Sequence, residues 1–426
     1  MKILKNITVF TMVMLLSVST VLEARDKNIS SFSSSSNLVD STGTFDGNKI
    51  YADVANNGLF LDYHVSGDSA LEWPKGTGVH SIFQSALWMG ATVNGSIRTI
   101  VGDYTQDMGP GPWGGDPLAA VHRIYKVEKS MLASPLDFAD FQEWPVEFGA
   151  PWVDVDGDGV YTPLPGGTDH PEFLGDQVLW FVSNDGDPAY KLNFGTSPMN
   201  VEIQTTMFGF DRPDVFGDMV FLKQLVINKG SDDLVDTYMG LWSDPDLGYA
   251  GDDFVGCDVA LGMGYVWNDG VDSQYGTLDI GTPAAGYDFF QGPMVPCEDG
   301  DSVEVCPTEG AKMFGTRHPG MKNLKMSSFA FYINGDATYT DPSDETEGYF
   351  YLQGLRKDGS AYPAEIAGDL YDQRFCFYGD PNDSAGHSTA NPVDGNYAAS
   401  ADRRFLMSVG PFTMAAGDSQ EVVFGI

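Results

Sequence analysis

Basic residues are scarce in this sequence of 426 residues, which has 23 Lys and Arg against 60 Asp and Glu and a net charge of −37. Nucleic acids and anionic membrane surfaces are bound through Lys and Arg, so the deficit argues against both partners. An acidic surface attracts divalent cations, although many such carboxylates serve only to keep a protein in solution. The 42% of hydrophobic residues argues against a disordered acidic tail and supplies a core.

Histidine is also rare, and no pattern of catalytic residues is recognisable. The six histidines lie singly, without the close His or Cys pairs of a structural zinc site. The sequence has no Gly-x-Ser-x-Gly turn, no His-Glu-x-x-His motif and no phosphate-binding glycine loop. Paired carboxylates for glycoside hydrolysis stay open, because 60 acidic residues offer many pairs. We identify no catalytic centre, which favours a protein that is not an enzyme.

A long, mostly apolar run occurs only at the N-terminus. Lys2 and Lys5 precede the segment 7–22, and small residues follow up to Ala24. These are the three parts of a secretory signal peptide. A membrane anchor is the alternative, but the segment is shorter than the roughly 20 apolar residues that span a bilayer. We expect residues 1–24 to be removed on export, which leaves the mature chain without a transmembrane anchor.

No long stretch has the 3.6-residue apolar spacing of an amphipathic helix. Short runs rich in Val, Ile, Phe, Tyr and Trp alternate with clusters of Gly, Pro, Asn and Asp, as in β-proteins. The run 219–228 is apolar on both faces except at Lys223 and Gln224, which is typical of a central strand. The sequence predicts a mainly β fold of β-sandwich or jelly-roll-like units with long Gly/Asp/Pro-rich loops. Little helix is expected, with the best candidate at 135–141.

Composition also suggests where the units of the chain begin and end. Residues 25–45 follow the expected signal peptide, are rich in Ser, and are expected to form a disordered leader. A Gly/Pro/Asp-rich belt at 150–170 separates a first β unit, 46–150, from a larger β unit, 151–426, which holds the acidic loops. The sequence ends in a strand-like apolar run, so we expect a chain truncated at its C-terminus.

The strongest motif is a run of alternating aspartates that is typical of a calcium loop. Asp154, Asp156 and Asp158 occupy positions 1, 3 and 5, and a glycine follows at position 6. Three short carboxylates can converge on one hard cation because the glycine lets the chain bend sharply. The carbonyl of Val160, at position 7, is expected to add another oxygen ligand. An acidic turn without metal is the alternative.

The second half of this motif departs from the EF-hand. Position 12 is Pro165, where an EF-hand has a bidentate Glu, and no helices are predicted on either side. The motif is therefore more typical of calcium loops in extracellular β proteins. A later carboxylate is expected to complete the ligands, with three candidates: Asp169, Glu172 and Asp176.

A second acidic patch follows the strand-like run 237–242. Its Gly and Asp residues come directly after the strand, so the patch is a weaker candidate for a second calcium loop. Its spacing fits no fixed template, and a solvated loop is an equal alternative. The candidate ligands are Asp244, Asp246, Asp252, Asp253 and Asp258.

Four cysteines form an even set, which in an exported chain predicts disulfides. Cys297 and Cys306 flank a short acidic loop, and we expect them to be bonded to each other. Cys257 and Cys376 would then form the second bridge. Reduced, buried thiols are the alternative for all four.

Several segments resemble one family. They are EWPKGTG at 72–78, FQSALWMG at 83–90, WVDVDGDG at 152–159, GDQVLW at 175–180, LWSDPDLG at 241–248 and DDFVGCD at 252–258. Together they are similar to large uncharacterised exported proteins that end in a C-terminal sorting domain read by the type IX secretion system. The resemblance covers most of 50–260, and no sorting domain is present. It implies a surface or extracellular location and little about activity.

These features favour an exported calcium-binding protein of the cell surface or extracellular space, with a structural or adhesive role. The alternative is an extracellular protein that binds or hydrolyses carbohydrate, because six tryptophans lie in the first half of the chain and could stack on sugar rings. Glycans or other cell-surface components are the expected partners, and calcium is the expected cofactor. The alternative requires aromatic side chains exposed on a concave face.

Overall fold

The computed structural model describes residues 42–164, 169–268, 270–380 and 399–426. The expected signal peptide at 1–24, residues 25–41 of the expected leader, and Pro165 lie outside the described residues. The last four residues of the leader, 42–45, form a paired β-strand, so their predicted disorder is wrong. The described residues contain 24 β-strands. In chain order, the first twelve are β1 (Thr42–Phe45), β2 (Tyr51–Ala55), β3 (Leu71–Glu72), β4 (His80–Ile82), β5 (Gln84–Val93), β6 (Ser96–Ile100), β7 (Gly109–Pro110), β8 (Tyr125–Glu128), β9 (Trp152–Val153), β10 (His170–Pro171), β11 (Gln177–Asn184) and β12 (Val201–Gly209). The other twelve are β13 (Val220–Asn228), β14 (Leu234–Asp244), β15 (Asp253–Asp258), β16 (Met263–Asn268), β17 (Ala285–Gln291), β18 (Met294–Pro296), β19 (Ala311–Met313), β20 (Thr316–His318), β21 (Met321–Asn323), β22 (Ser328–Ile333), β23 (Arg403–Met414) and β24 (Ser419–Gly425).

Helices are few and short, as expected. The α-helices of the described residues are α1 (Ala139–Gln142), α2 (Glu345–Leu352) and α3 (Ala364–Ala367). None of them has the length and apolar composition that a membrane-spanning helix requires. The helix expected at 135–141 is broken, because Phe138 adopts an extended conformation between a single 3₁₀ turn and α1.

Two antiparallel sheets contain most of the strand residues. The larger has nine strands in the order β15-β16-β17-β24-β13-β12-β11-β7, with β8 also paired to β11. The smaller has five strands in the order β22-β23-β14-β5-β6. The mainly β, sandwich-like class is therefore confirmed. β13 lies in the middle of the larger sheet, between β12 and β24, where the apolar run 219–228 predicted a central strand.

Side chains from the two sheets meet in one hydrophobic core. The Tyr287 ring, on β17, contacts the Phe405 ring on β23 with centroids 5.3 Å apart. The Tyr287 hydroxyl also lies 2.5 Å from the hydroxyl of Ser85 and 2.8 Å from that of Ser243, on β5 and β14. All four side chains are fully buried. Burial of each large apolar side chain stabilises the fold by about 1.5–3 kcal/mol.

The boundary expected near residue 150 does not divide the sheets. β5 and β6 come from the expected unit 46–150, yet they belong to the same sheet as β14, β22 and β23 from the expected unit 151–426. β5 pairs directly with β14 along nearly its whole length. Residues of both expected units therefore share one core, because strand pairing crosses the Gly/Pro/Asp-rich belt.

A smaller group of buried residues packs separately from this core, and we call it the aromatic subcore. It consists of Tyr125, Val127, Phe141, Trp144, Ala150, Val178, Trp180 and Val182. Trp144 lies at its centre, with the rings of Tyr125 and Trp180 each 6.3–6.4 Å away. Trp152 and Tyr161, which flank the three alternating aspartates of the first acidic loop, pack against the subcore.

One expected disulfide is present and the other is not. Cys297 and Cys306 are bonded, with their Cα atoms 5.8 Å apart, which confirms the first pairing. Cys257 and Cys376 are both buried free thiols, so the predicted second bridge is wrong. Their segments do pair, but in parallel and with Cys257 opposite Tyr378. The Cys257 thiol therefore faces the backbone carbonyl of Cys376, at 3.5 Å.

Candidate metal centres

The first acidic loop connects β9 to β10, which pair as an antiparallel hairpin. Val153, the last residue of β9, lies opposite His170, the first residue of β10. The next residues outward from this pair are Asp154 and Asp169. The hairpin register therefore brings these two aspartates together, although 15 positions separate them in the sequence.

Four carboxylates converge in this loop, and we call them the loop cluster. They belong to Asp154, Asp156, Asp158 and Asp169, and one oxygen from each lies within 4.8 Å of the others. The first three side chains are exposed, whereas Asp169 is buried at the base of the loop. Calcium binds oxygen at about 2.3–2.6 Å, so two ligands of one ion lie at most about 5 Å apart. The loop cluster satisfies that limit.

Backbone N–H groups hold the exposed carboxylates in place. Asp154 accepts hydrogen bonds from the N–H groups of Gly157, at 2.6 Å, and Gly159, at 2.9 Å. Asp158 accepts one from the N–H of Val160 at 2.7 Å. Gly157 and Gly159 have φ values of 78° and 74°, a left-handed conformation that is costly for other residues. The Val160 carbonyl as a ligand stays a prediction.

Asp169 is fixed from several directions. Its two oxygens accept hydrogen bonds from the N–H groups of Val155, at 2.9 Å, and Thr162, at 2.8 Å. The Thr162 hydroxyl adds a third, at 3.2 Å. These hydrogen bonds, led by the Thr162 N–H, hold the pKa of Asp169 below its usual value in spite of burial. Asp169 therefore carries a negative charge at neutral pH, as a cation ligand must.

Of the three candidates for the later ligand, the structure brings Asp169 to the loop cluster. Asp176 is not part of it, so this predicted ligand is wrong. The Asp176 carboxylate accepts a hydrogen bond from the N–H of Asp211 at 3.0 Å, just beyond the β12 end. Glu172 directly follows β10 and is also outside the cluster. The reason is the hairpin register, which places only Asp169 opposite Asp154.

The second acidic patch assembles differently from its predicted form. Three carboxylates come together here, those of Asp244, Asp246 and Asp402. One oxygen from each lies within 4.8 Å of the other two. We call these three residues the buried acidic cluster, since Asp244 is fully buried and the other two are partly buried. Asp402 directly precedes β23, which pairs with β14, so pairing brings it beside the end of β14. The sequence offered no signal for Asp402, because 158 positions separate it from Asp244.

Arg404 and Tyr104 contact this cluster from inside the protein. Arg404 donates to Asp402 Oδ1 at 2.7 Å and to Asp244 Oδ2 at 3.0 Å. The Tyr104 hydroxyl donates to the same Asp244 Oδ2 at 2.7 Å. Burial nevertheless raises the pKa of Asp244 to about 7, and it raises the pKa of Asp246 well above its usual value. Arg404 thus compensates only part of the negative charge.

The other predicted ligands of the second loop lie outside this cluster, so their assignment is wrong. Asp252 and Asp253 both accept hydrogen bonds from the side chain of Asn268, at 2.6 and 3.1 Å. Asp253 and Asn268 are opposite each other across β15 and β16, which brings the Asn268 side chain to these carboxylates. Asp258 closes the turn after β15 by accepting from the N–H of Leu261 at 3.0 Å.

The tryptophans lie mainly in the interior. Trp88 and Trp242 stack on each other in the main core, with ring centroids 5.7 Å apart. Trp144 and Trp180 belong to the aromatic subcore. Among the tryptophans, all of which are described, Trp113 is the most exposed, at 44%. No described pair of exposed tryptophans supplies the sugar-stacking surface that the carbohydrate alternative requires.

Comparison with known protein families gives no match, and comparison with curated proteins gives none either. The resemblance to exported proteins of the type IX secretion system stays a prediction from the sequence motifs.

Proposed function

We propose that this chain is an exported calcium-binding protein of the cell surface or extracellular space, with a structural or adhesive role. The observation that carries the proposal is the loop cluster, in which Asp154, Asp156, Asp158 and Asp169 bring four carboxylate oxygens within 4.8 Å. A ligand set made only of oxygen suits calcium and disfavours zinc and copper, which prefer nitrogen and sulfur.

Exposure of the loop cluster suits a site that works at high calcium concentration. Asp154, Asp156 and Asp158 are solvated and share part of their hydrogen-bonding capacity with loop N–H groups. Extracellular calcium modules of this kind bind with dissociation constants of about 10⁻⁴–10⁻³ M. Such affinities are useful outside the cell, where calcium is abundant, and this agrees with the export predicted from residues 1–24.

Calcium at this site would act by fixing the loop on the aromatic subcore. The Tyr161 hydroxyl donates to the carbonyl of Phe141 at 2.6 Å. The Tyr161 ring meets the Trp152 ring edge to face, with centroids 5.6 Å apart. An ion held by the loop cluster would restrain the segment between Trp152 and Tyr161, because both of these residues pack against the aromatic subcore. We therefore propose that the role of calcium is to rigidify the loop.

Calorimetric titration of the purified chain with calcium chloride tests the metal site. We expect binding, and we expect calcium at 100 times its dissociation constant to stabilise the fold by about 2.7 kcal/mol. Asp156→Asn removes one charge but keeps the acceptor for the Asp158 N–H, so it should weaken binding at least tenfold. Asp187→Asn is the matched control, because Asp187 is an exposed turn aspartate whose cap hydrogen bond Asn can also accept. A wild-type protein whose unfolding is the same in calcium and in chelator would contradict the proposal.

Export is tested separately, by expressing residues 1–426 in a bacterial host. Protein recovered from outside the cytoplasm should begin near residue 25, because cleavage is expected after Ala24. Protein that stays in the cytoplasm and retains Met1 would contradict export while leaving the calcium site unaffected. A glycan array probed in calcium and in chelator tests the adhesive role, for which we expect calcium-dependent binding to cell-surface components.

A further inference from the structure

The buried acidic cluster contains more negative charge than its protein partners compensate. Asp244, Asp246 and Asp402 carry three negative charges when ionised, and Arg404 supplies one positive charge. The carboxyl group of Asp341 is close enough to add to the negative field at Asp244. Burying uncompensated charge is unfavourable, so native proteins pair such groups or bind a metal there.

One carboxylate oxygen in the cluster also lacks a partner. Asp244 is 1% exposed, and its Oδ1 accepts no hydrogen bond from any described residue. Both Arg404 and Tyr104 bind Oδ2 instead. Buried polar atoms in native proteins are nearly always satisfied, by protein, by water or by an ion. The unsatisfied Oδ1 belongs to a residue that offers an oxygen to the cluster, and this indicates a ligand that binds there.

We propose that Asp244, Asp246 and Asp402 form a second divalent-cation site, of the calcium class, built into the fold rather than into an exposed loop. One divalent cation would balance the net charge of −2 that the three carboxylates and Arg404 leave. The 4.8 Å spread of their oxygens fits the calcium–oxygen distance of about 2.3–2.6 Å. Magnesium fits less well, since its bonds of about 2.0–2.1 Å require a tighter octahedron.

This site would connect parts of the chain that are distant in sequence. Asp244 ends β14 and Asp402 directly precedes β23, both in the five-stranded sheet. Asp246 lies in the segment that leads to β15, at the edge of the nine-stranded sheet. A bound cation would therefore join the two sheets at one edge. The site is independent of the loop cluster and does not depend on the proposed cellular role.

The test is the number of calcium ions bound per chain, measured by equilibrium dialysis with calcium chloride. We expect two in the wild type and one in Asp246→Asn. The Asp246 carboxylate accepts no hydrogen bond from another described residue, and its φ of 30° is a conformation that Asn tolerates, so this variant should fold. Asp258→Asn is the matched control, since Asp258 belongs to the same acidic patch but lies outside the cluster; it should still bind two ions.

The two calcium sites are separated by comparing single variants. If Asp246→Asn binds one ion and Asp156→Asn also binds one, both sites exist, and the double variant should bind none. If Asp156→Asn has no effect while Asp246→Asn loses one ion, the loop proposal fails and the buried site stands. If Asp246→Asn binds as many ions as the wild type, with affinities within twofold, the buried site is overturned. A wild type that binds one ion, lost in Asp156→Asn, also overturns it.

Discussion

The loop cluster and the buried acidic cluster use the same chemical group in opposite surroundings. In the loop cluster, backbone N–H groups surround Asp169 and lower its pKa. In the buried acidic cluster, the loss of solvent raises the pKa of Asp244 to about 7, although Arg404 lies 3.0 Å away. In the loop cluster, Asp169 is ionised without a cation. In the buried acidic cluster, a cation or a proton is needed to offset the cost of burying the negative charge.

The difference shows that the free energy of a carboxylate depends on its hydrogen-bond donors more than on its neighbours in sequence. Asp154 and Asp169 are held by donors from within a single hairpin, so their arrangement costs the rest of the fold little. Asp244 and Asp402 share one positively charged partner, the guanidinium of Arg404. Substitutions that change the hydrogen-bond donors or the charges of buried carboxylates should therefore affect stability more than substitutions in the exposed loop.

Removing the guanidinium from the buried acidic cluster should have the largest effect. Arg404→Met keeps much of the side-chain volume but leaves buried carboxylates without their cationic partner, which should destabilise the fold by about 3–5 kcal/mol. Urea unfolding in chelator measures the loss, and added calcium should recover part of it. Arg212→Met is the control, because Arg212 pairs with Asp214 at the surface, where an ion pair contributes only about 0–1 kcal/mol. Equal losses in the two variants would contradict the comparison.

Asp253 extends the comparison to pH, because it is a fully buried carboxylate outside both clusters. Burial, together with the nearby charges of Asp252 and Asp244, raises its pKa to about 8. The Leu247 N–H and the Asn268 side chain oppose this shift. Arg403 is the positive group that interacts with it.

The sign of the pH effect follows from this raised pKa. Between about pH 4 and pH 8 the folded protein keeps a proton on Asp253 that the unfolded chain has lost. The contribution of Asp253 to stability should therefore fall as the pH rises through this window, by up to about 1 kcal/mol per pH unit, and level off above pH 8. Urea unfolding from pH 5 to pH 9 in chelator measures the slope, and Asp253→Asn should reduce it. An unchanged slope in this variant would show that Asp253 is ionised in the folded state.

A smaller effect is expected from the backbone of the loop cluster. Gly157 has φ of 78° and open space where a Cβ would lie, so Gly157→Ala introduces conformational strain without a clash. The cost should be about 1 kcal/mol, seen as roughly fivefold weaker calcium binding by calorimetry. Gly157→Asn should recover most of the affinity, because Asn tolerates left-handed backbone. If Ala and Asn weaken binding equally, strain is not the cause.

The smallest effect is expected at Asp176, which the sequence predicted as a calcium ligand and which lies outside the loop cluster. Asp176→Asn should leave the calcium affinity within twofold of the wild type. Asp169→Asn, measured in parallel by calorimetry, should weaken binding at least tenfold, since Asp169 supplies the ligand at the base of the loop. The reverse ranking would mean that the loop closes on Asp176 when calcium binds.

The sequence predicted features that depend on nearby residues and missed those that depend on distant pairing. The alternating Asp154, Asp156 and Asp158 were recognisable because the motif is continuous, and β13 was recognisable from its apolar run. Asp402 was missed because the pairing of β14 with β23 brings it to Asp244 from far along the chain. No local sequence pattern predicts that β14 pairs with β23.

Two further misses have different physical origins. The disulfide between Cys297 and Cys306 was predicted correctly because the two residues are close in sequence. The predicted bridge between Cys257 and Cys376 depended on a strand register that the sequence does not reveal. Helix α2 was also missed, because Gly and three aromatic residues weaken its helical pattern. It begins after Asp344, whose carboxylate caps the helix by accepting from the N–H of Glu347 at 2.9 Å.

The separation of the aromatic subcore from the main core has a consequence for how the protein resists digestion. Because the hairpin of β9 and β10 rests on this small cluster, it can open locally while the two large sheets stay folded. Amide hydrogen exchange around Asp154 then reports a sub-global opening rather than complete unfolding. Under the proposed function, calcium bound at the loop cluster would close this opening, and its concentration would set how long the hairpin survives exposure to proteases. The lifetime of this exposed segment would then follow the calcium concentration of the surrounding medium.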